Sequence, residues 1–66
     1  MYLSIYAVYE YYVDSATLYE ELRDYKINVT DTTKTVFIYG RINAFYLPTV
    51  IYILLKYGEP TITINK

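Results

Sequence analysis

Cysteine and histidine are both absent from this 66-residue sequence. Without cysteine the chain cannot form a disulfide, an iron–sulfur cluster or a thiolate zinc site. Without histidine it lacks the commonest metal ligand and the usual general base near neutral pH. A domain this short buries only about 60% of the surface that its unfolded form exposes. Of the usual means of stabilising a small domain, association with another chain is the one that is left.

Charge is also sparse, because six basic and seven acidic residues leave a formal net charge of −1. The basic residues are scattered along the chain, whereas a nucleic-acid-binding protein normally shows a basic patch. The start of the chain lacks the pattern of a signal peptide, and the longest apolar run, residues 50 to 55, is too short to span a bilayer. We therefore expect one soluble, cytoplasmic domain, residues 1–66, that does not associate with membranes. Glutamine is missing and methionine occurs once, which is typical of thermophile proteins.

Tyrosine is the abundant residue, with 11 copies. Its ring is apolar, but its hydroxyl requires water or a hydrogen-bonding partner. So many tyrosines in so short a chain cannot all lie in a dry core. A single tyrosine is most often found at the edge of a core, but a contiguous aromatic patch on a surface usually marks a binding site.

The two ends of the chain carry the alternating pattern of half-buried strands. In residues 2 to 8, Leu3, Ile5 and Ala7 point to one face, and the tyrosines of this segment point to the other. In the last strand, which follows Pro60, the two isoleucines face inward and the threonines face outward. Proline at the start of a strand is typical of a sheet edge.

A hairpin is predicted in the middle of the chain. Residues 34 to 40 are mostly apolar, β-branched or aromatic and are closed by a glycine, as in a strand. Residues 27 to 30 pair with them through a type I-like turn at residues 31 to 34. The pairing of Thr30 with Thr35 places the apolar residues of both strands on one face.

The first predicted helix runs from about residue 15 to residue 26. Asp14 is a good N-cap residue, and the pair Thr17 and Glu20 also has capping-box spacing. Leu18, Leu22 and Tyr25 share one face at helical spacing.

The second predicted helix runs from Pro48 to Tyr57, with Gly58 after its C-terminal end. An alternative start near Asn43 would place the proline deeper, with a kink. Residues 50 to 55 are apolar almost all round, which predicts burial on two sides and hence a second chain or a partner. A buried strand is the other interpretation of this run.

The element order is therefore β-α-β-β-α-β in an α+β domain. Two split βαβ units predict a ferredoxin-like βαββαβ sandwich, with a four-stranded antiparallel sheet and two helices on one face. Right-handed crossovers place the first and third strands at its centre. The sheet face away from the helices then carries an aromatic centre with uncharged, polar edges.

From this fold we expect a non-enzymatic, homodimeric domain that binds another protein, in the manner of small regulatory or inhibitory proteins, including those of viruses and plasmids. Aromatic and apolar side chains without charge are typical of interface cores. Two surfaces provide them: the open sheet face and the exposed side of the second helix. The residues predicted to form these interfaces are Tyr2, Tyr6, Phe37, Tyr39, Val50, Tyr52, Ile53 and Tyr57.

The alternative is binding of single-stranded RNA or DNA. Tyr6, Phe37 and Tyr39 resemble the aromatic trio with which the RNA-recognition motif stacks bases on its two central strands. The third strand departs from that motif, because it lacks the glycine pair and has Thr35 where a basic residue is expected. Lys and Arg supply much of the affinity for phosphates. Because this surface has few of them, nucleic acid is the less favoured partner.

Catalysis is not predicted, and neither is a cofactor. The serines Ser4 and Ser15 have no histidine to activate them. Glu20 and Glu21 are adjacent on a helix and therefore diverge, unlike a paired-carboxylate site. Other proteins of this fold use a metal-binding cysteine pair or an arginine in the first loop, and this chain has neither.

Overall fold

The computed structural model describes all 66 residues as an α+β protein with one four-stranded antiparallel sheet and two helices. No helix is long and apolar enough to cross a membrane. Short 3₁₀ turns follow the first helix (Arg23–Tyr25) and precede the second (Ala44–Tyr46). In chain order the elements are β1 (Tyr2–Tyr9), α1 (Ser15–Leu22), β2 (Ile27–Asp31), β3 (Val36–Asn43), α2 (Leu47–Lys56) and β4 (Thr61–Asn65).

The strand order in the sheet is β2-β3-β1-β4, and every neighbouring pair is antiparallel. The prediction that the first and third strands lie at the centre is confirmed, and so is the edge position of the last strand. The two central strands are also the longest, with eight residues each. They pair with each other along their whole length, from Tyr2 opposite Asn43 to Tyr9 opposite Val36.

One hydrophobic core lies between the sheet and the helices. Thirteen buried residues form a single cluster, and burial of apolar area contributes roughly 25 cal/mol for each Å². The strands supply alternate residues, as a period of two requires. Both helices supply buried residues to this cluster and so cover the same sheet face. Its members are Ile5, Ala7, Tyr9, Val13, Leu18, Leu22, Ile27, Val36, Ile38, Ile42, Val50, Ile53 and Leu54.

The register of the β2–β3 hairpin differs from the predicted one by two residues. Thr30 lies opposite Phe37, not opposite Thr35. The turn lies one residue later than predicted, at residues 32 to 35, where the Thr32 N–H and hydroxyl both donate to the Thr35 carbonyl, at 2.9 and 3.0 Å. The Thr35 N–H in turn donates to the Thr32 hydroxyl at 3.2 Å. An even shift leaves every side chain on its predicted face.

Gly40 lies inside β3, so the prediction that the glycine closes the strand is wrong. The strand continues to Asn43, and Gly40 pairs with Ile5 on one side and Ile27 on the other. A β-carbon here would lie 3.1 Å from the Ile27 Cα and 3.2 Å from the Lys26 carbonyl oxygen. Glycine therefore permits a close approach of two backbones.

Helix α1 begins at the predicted position, because Asp14 is its N-cap. The Asp14 carboxylate accepts the Thr17 N–H at 3.2 Å and the Thr17 hydroxyl at 2.7 Å. These hydrogen bonds from Thr17 lower the pKa of Asp14. The helix ends at Leu22 rather than at residue 26, since a 3₁₀ turn takes over. Lys26 follows in the left-handed conformation, with φ 61° and ψ 38°.

Helix α2 has Pro48 in its first turn, as predicted, where the missing N–H leaves no bond unmade. The alternative start near Asn43 corresponds to a separate 3₁₀ turn, in which the Asn43 side chain accepts the Phe45 N–H at 3.0 Å. The helix ends at Lys56. Gly58 follows with φ 149°, a conformation that side chains disfavour.

Tyr9, at the end of β1, is fully buried and belongs to the core. Its hydroxyl donates a hydrogen bond to the Leu54 carbonyl near the end of α2. Burial, together with the nearby hydroxyls of Tyr11 and Tyr57, raises the pKa of Tyr9. The folded state therefore disfavours the ionised form of this side chain.

We expect the folded domain to lose stability in alkali because of Tyr9. Since the folded pKa is raised, the contribution of this side chain is complete below about pH 10, the usual tyrosine pKa, and is lost as the pH rises above it. Tyr9→Phe removes the hydrogen bond and lowers the free energy of unfolding at neutral pH by about 1 kcal/mol, but it flattens the alkaline loss. Urea unfolding between neutral pH and alkali measures both effects.

Tyr12→Phe is the control, because Tyr12 is 83% exposed. Equal losses of stability in alkali in the two variants would contradict the role of Tyr9.

Candidate functional site

The sheet face away from the helices has no layer of the chain covering it. Alternation along each strand decides which side chains it presents, and the register brings them into one surface, which we call the open sheet face. The surface consists of Tyr2, Ser4, Tyr6 and Val8 from β1, Asn28 and Thr30 from β2, Phe37, Tyr39, Arg41 and Asn43 from β3, and Thr61, Thr63 and Asn65 from β4.

The centre of the open sheet face is aromatic. Tyr6 lies directly opposite Tyr39, and its ring centroid is 6.3 Å from that of Phe37, with an angle of 34° between the planes. Phe37 is the diagonal neighbour of Tyr6, a position from which aromatic side chains reach one another. Tyr6 and Tyr39 are 44% and 45% exposed. The structure thus brings three predicted interface residues together on the two central strands.

Charge is almost absent from the open sheet face. Arg41 is the only charged strand residue on it, and it lies toward one end, opposite Ser4. Its guanidinium donates to the Ser4 hydroxyl at 3.4 Å. The predicted residue Tyr2 is exposed at the same end, opposite Asn43. An aromatic centre with few charges matches the composition of protein interface cores.

On the second helix, the structure contradicts part of the prediction. Val50 and Ile53 were expected on its exposed side, but both are buried in the core of the single chain. Their position follows from the packing of α2 on the sheet, which selects one stripe of an almost uniformly apolar helix. Tyr57 is half-buried and its hydroxyl donates to Glu21. Of the four predicted helix residues, only Tyr52 is well exposed, at 68%.

The apolar surface that α2 does expose consists of Tyr52 and Leu55, which share one face at helical spacing. Phe45 lies in the 3₁₀ turn before the helix and is 80% exposed. Its ring meets that of Tyr46 edge to face, with centroids 5.3 Å apart. Phe45 and Leu55 were not among the predicted interface residues. The predicted helix start at Pro48 already leaves Phe45 outside the helix, but the exposure of both side chains depends on packing.

Glu21 links the outer surfaces of the two helices. Its carboxylate lies 2.6 Å from the Lys56 ammonium and accepts the Tyr57 hydroxyl. The hydrogen bond from Lys56, and then that from Tyr57, lowers the pKa of Glu21, whereas the carboxylate raises the pKa of Tyr57 to about 12. Glu20 instead faces Arg23 at 3.4 Å. The two adjacent glutamates therefore hold different partners: Glu21 joins α1 to the end of α2, whereas Glu20 pairs with a residue three positions later in its own segment.

A cleft of about 400 Å³ opens at the end of the sheet where β2 begins and β3 ends. Its walls come from the start of β1, the turn after α1, the end of β3 and the turn before α2. Because these segments are far apart in sequence, no pattern in the chain predicts the cleft. The lining residues are Tyr2, Asp24, Tyr25, Lys26, Arg41, Ile42, Asn43 and Tyr46.

No protein-family model matches this sequence, no curated protein is significantly similar to it, and no solved structure significantly matches its fold.

Proposed function

We propose that this chain is a small, non-enzymatic, regulatory protein of ferredoxin-like topology that forms a homodimer through its open sheet face and binds a further protein. The topology is supported by the element order β-α-β-β-α-β together with the strand order β2-β3-β1-β4. In this topology one sheet face carries the helices and the other is left for association.

The observation that carries this proposal is the uncovered aromatic centre of the open sheet face. Tyr6, Phe37 and Tyr39 adjoin there, on the two central strands, and Arg41 is the one charged strand residue next to them on this face. The core of the single chain is small, since 14 of 66 residues are buried. Packing this face against its copy removes apolar area from water at roughly 25 cal/mol for each Å², which stabilises a domain without disulfides or metal ligands.

The exposed apolar surface of α2 is the proposed contact for a protein partner. Tyr52 and Leu55 lie on the helical side of the molecule, and Phe45 lies in the turn before them. A dimer formed through the open sheet face leaves this surface accessible. An amphipathic helix face with aromatic anchors is a recurring mode of protein recognition.

We expect light scattering across a dilution series to give twice the chain mass of 7.9 kDa at high concentration and a concentration-dependent fall toward the single mass. The fall reports the dissociation constant by mass action. A mass equal to that of one chain at every concentration would contradict the homodimer.

The second candidate function, binding of single-stranded nucleic acid, is favoured by one observation. Arg41 extends the aromatic surface of Tyr6 and Tyr39 at one end, and Lys26 lies beside it in the cleft. Aromatic rings with adjacent cations are the usual combination in such sites. With one or two phosphates neutralised, the slope of log affinity against log salt is about −0.7 to −1.4. Titration with a labelled oligonucleotide at several salt concentrations measures this slope, and an absence of binding at low salt rejects the candidate.

A further inference from the structure

The cleft at the end of the sheet combines aromatic rings with positive charge. Three of its eight lining residues are tyrosines, and Tyr25 and Tyr46 pack on each other with ring centroids 5.4 Å apart. Lys26 and Arg41 contribute two positive charges to the same walls. Its volume of about 400 Å³ is within the usual range for small-molecule sites.

The charges of this cleft are not neutralised by ion pairs. The two salt bridges of the chain join Glu20 to Arg23 and Glu21 to Lys56, so Lys26 and Arg41 have no carboxylate within 4 Å. Asp24 also lines the cleft and has no basic partner at that distance. Two cations and one anion leave a net positive charge, which favours an anionic ligand.

The backbone at Lys26 is a second observation that points to this cleft. Lys26 is the only residue other than glycine with positive φ, in the left-handed region. Glycine adopts this conformation readily at the end of a helix, whereas a side chain with a β-carbon is disfavoured there. Strained residues of this kind are concentrated at binding sites. A lysine in place of glycine puts an ammonium group at the cleft at the expense of local strain.

We infer that this cleft binds a nucleoside monophosphate, either free or as the phosphorylated end of a nucleic-acid strand. Lys26 and Arg41 bind the phosphate, because ammonium and guanidinium groups form the strongest hydrogen bonds to phosphate oxygens. The tyrosine rings provide the flat apolar surface on which a base stacks. The cleft borders the proposed dimer surface and shares Tyr2, Arg41 and Asn43 with it.

The first experiment follows the backbone amide chemical shifts of the full chain during titration with adenosine 5′-monophosphate. We expect shifts confined to the cleft around Lys26, Arg41 and Tyr46. Adenosine and inorganic phosphate, tested separately, bind more weakly than the nucleotide, since each makes half of the contacts. Shifts centred on Tyr6 and Tyr39 instead, or equal binding of all three probes, would overturn the inference.

A matched pair of lysine variants tests the phosphate contact. Lys26→Gln is expected to weaken nucleotide binding at least about tenfold. Lys34→Gln makes the same change in the hairpin turn at the opposite end of β2 and β3 and leaves binding unchanged. Lys26→Gly serves as a second variant, because glycine fits the left-handed backbone and preserves the fold. Equal affinities of the Lys26 and Lys34 variants would reject the site.

Asp24 provides a test with the opposite sign. Its carboxylate repels the phosphate, so Asp24→Asn is expected to tighten nucleotide binding several-fold, by up to about tenfold. A site built for a cation would instead lose affinity in this variant. Tighter binding of the nucleotide supports the inference, and weaker binding overturns it.

The source of the nucleotide is decided by comparing the monophosphate with a 5′-phosphorylated oligonucleotide. If both bind equally, the ligand is the free nucleotide; if the oligonucleotide binds more tightly, the ligand is the phosphorylated end of a strand. Both outcomes place the phosphate in the cleft. The oligomeric state is measured on the Lys26 variants in parallel, so that failure of the site and failure of the dimer are observed separately.

Discussion

Replacement of Phe37 and Tyr39 together by threonine is expected to convert the homodimer into a folded monomer. Both side chains lie at the centre of the open sheet face and point away from the core. Central aromatic residues dominate the energy of protein interfaces, with about 2 kcal/mol or more for each one removed. We therefore expect the dissociation constant to rise at least about a thousandfold. Light scattering and sedimentation measure the change.

Threonine is chosen because it keeps the strand propensity of the two positions. Circular dichroism and urea unfolding at low concentration then show whether the single chain is still folded. The matched control removes two apolar side chains from the other side of the molecule, as Tyr52→Ala with Leu55→Ala. This control leaves the dimer intact if the sheet face is the interface. A dimer that survives in the threonine variant and dissociates in the alanine variant would assign the interface to α2 instead.

Gly58→Ala is expected to lower the free energy of unfolding by about 2 to 4 kcal/mol. The φ of 149° at this residue is disfavoured for any residue with a β-carbon. A β-carbon would also lie inside the contact distance of the Tyr11 hydroxyl and 3.1 Å from ring carbon Cε2. That hydroxyl accepts the Glu59 N–H at 2.6 Å, so moving the ring breaks the hydrogen bond as well. Such a loss is a large part of the stability of a small domain.

The contributions of backbone strain and steric overlap are separated with a double-mutant cycle. In the Tyr11→Ala background the ring is absent, so Gly58→Ala retains only the cost of the backbone conformation. We expect a smaller loss there than in the parent chain. Equal losses in both backgrounds would show that the contact with Tyr11 contributes nothing, and a loss below about 0.5 kcal/mol in the parent would contradict the strain argument altogether.

The faces of the strands were predictable because alternation depends only on neighbouring residues. Tyr2 and Tyr6 of β1 and the aromatic pair of β3 lie on the open sheet face even though the hairpin register was wrong by two residues. The helix starts were predictable for the same reason. Asp14 caps the first turn of α1 by accepting the Thr17 N–H. Pro48 fits the first turn of α2, because an N–H at that position has no hydrogen-bonding partner within the helix. Each of these signals acts within a few residues.

The buried side of the second helix and the cleft could not be predicted from local sequence patterns. Almost every position from 50 to 55 is apolar, so the sequence cannot rank the sides of α2, and packing on the sheet buried Val50 and Ile53. A glycine after an apolar run is typical of a strand end. Gly40 instead lies inside β3, where the lack of a β-carbon lets the Ile27 backbone approach closely.

By itself, the sequence determined the element order, the faces of the strands and the starts of the helices, because periodicity and capping are local. Tertiary structure alone decided the hairpin register, the buried side of α2 and the gathering of Lys26, Arg41 and Tyr46 around one cleft. These features depend on contacts between segments distant in the chain, whose energies are set by shape and close approach rather than by neighbouring residues.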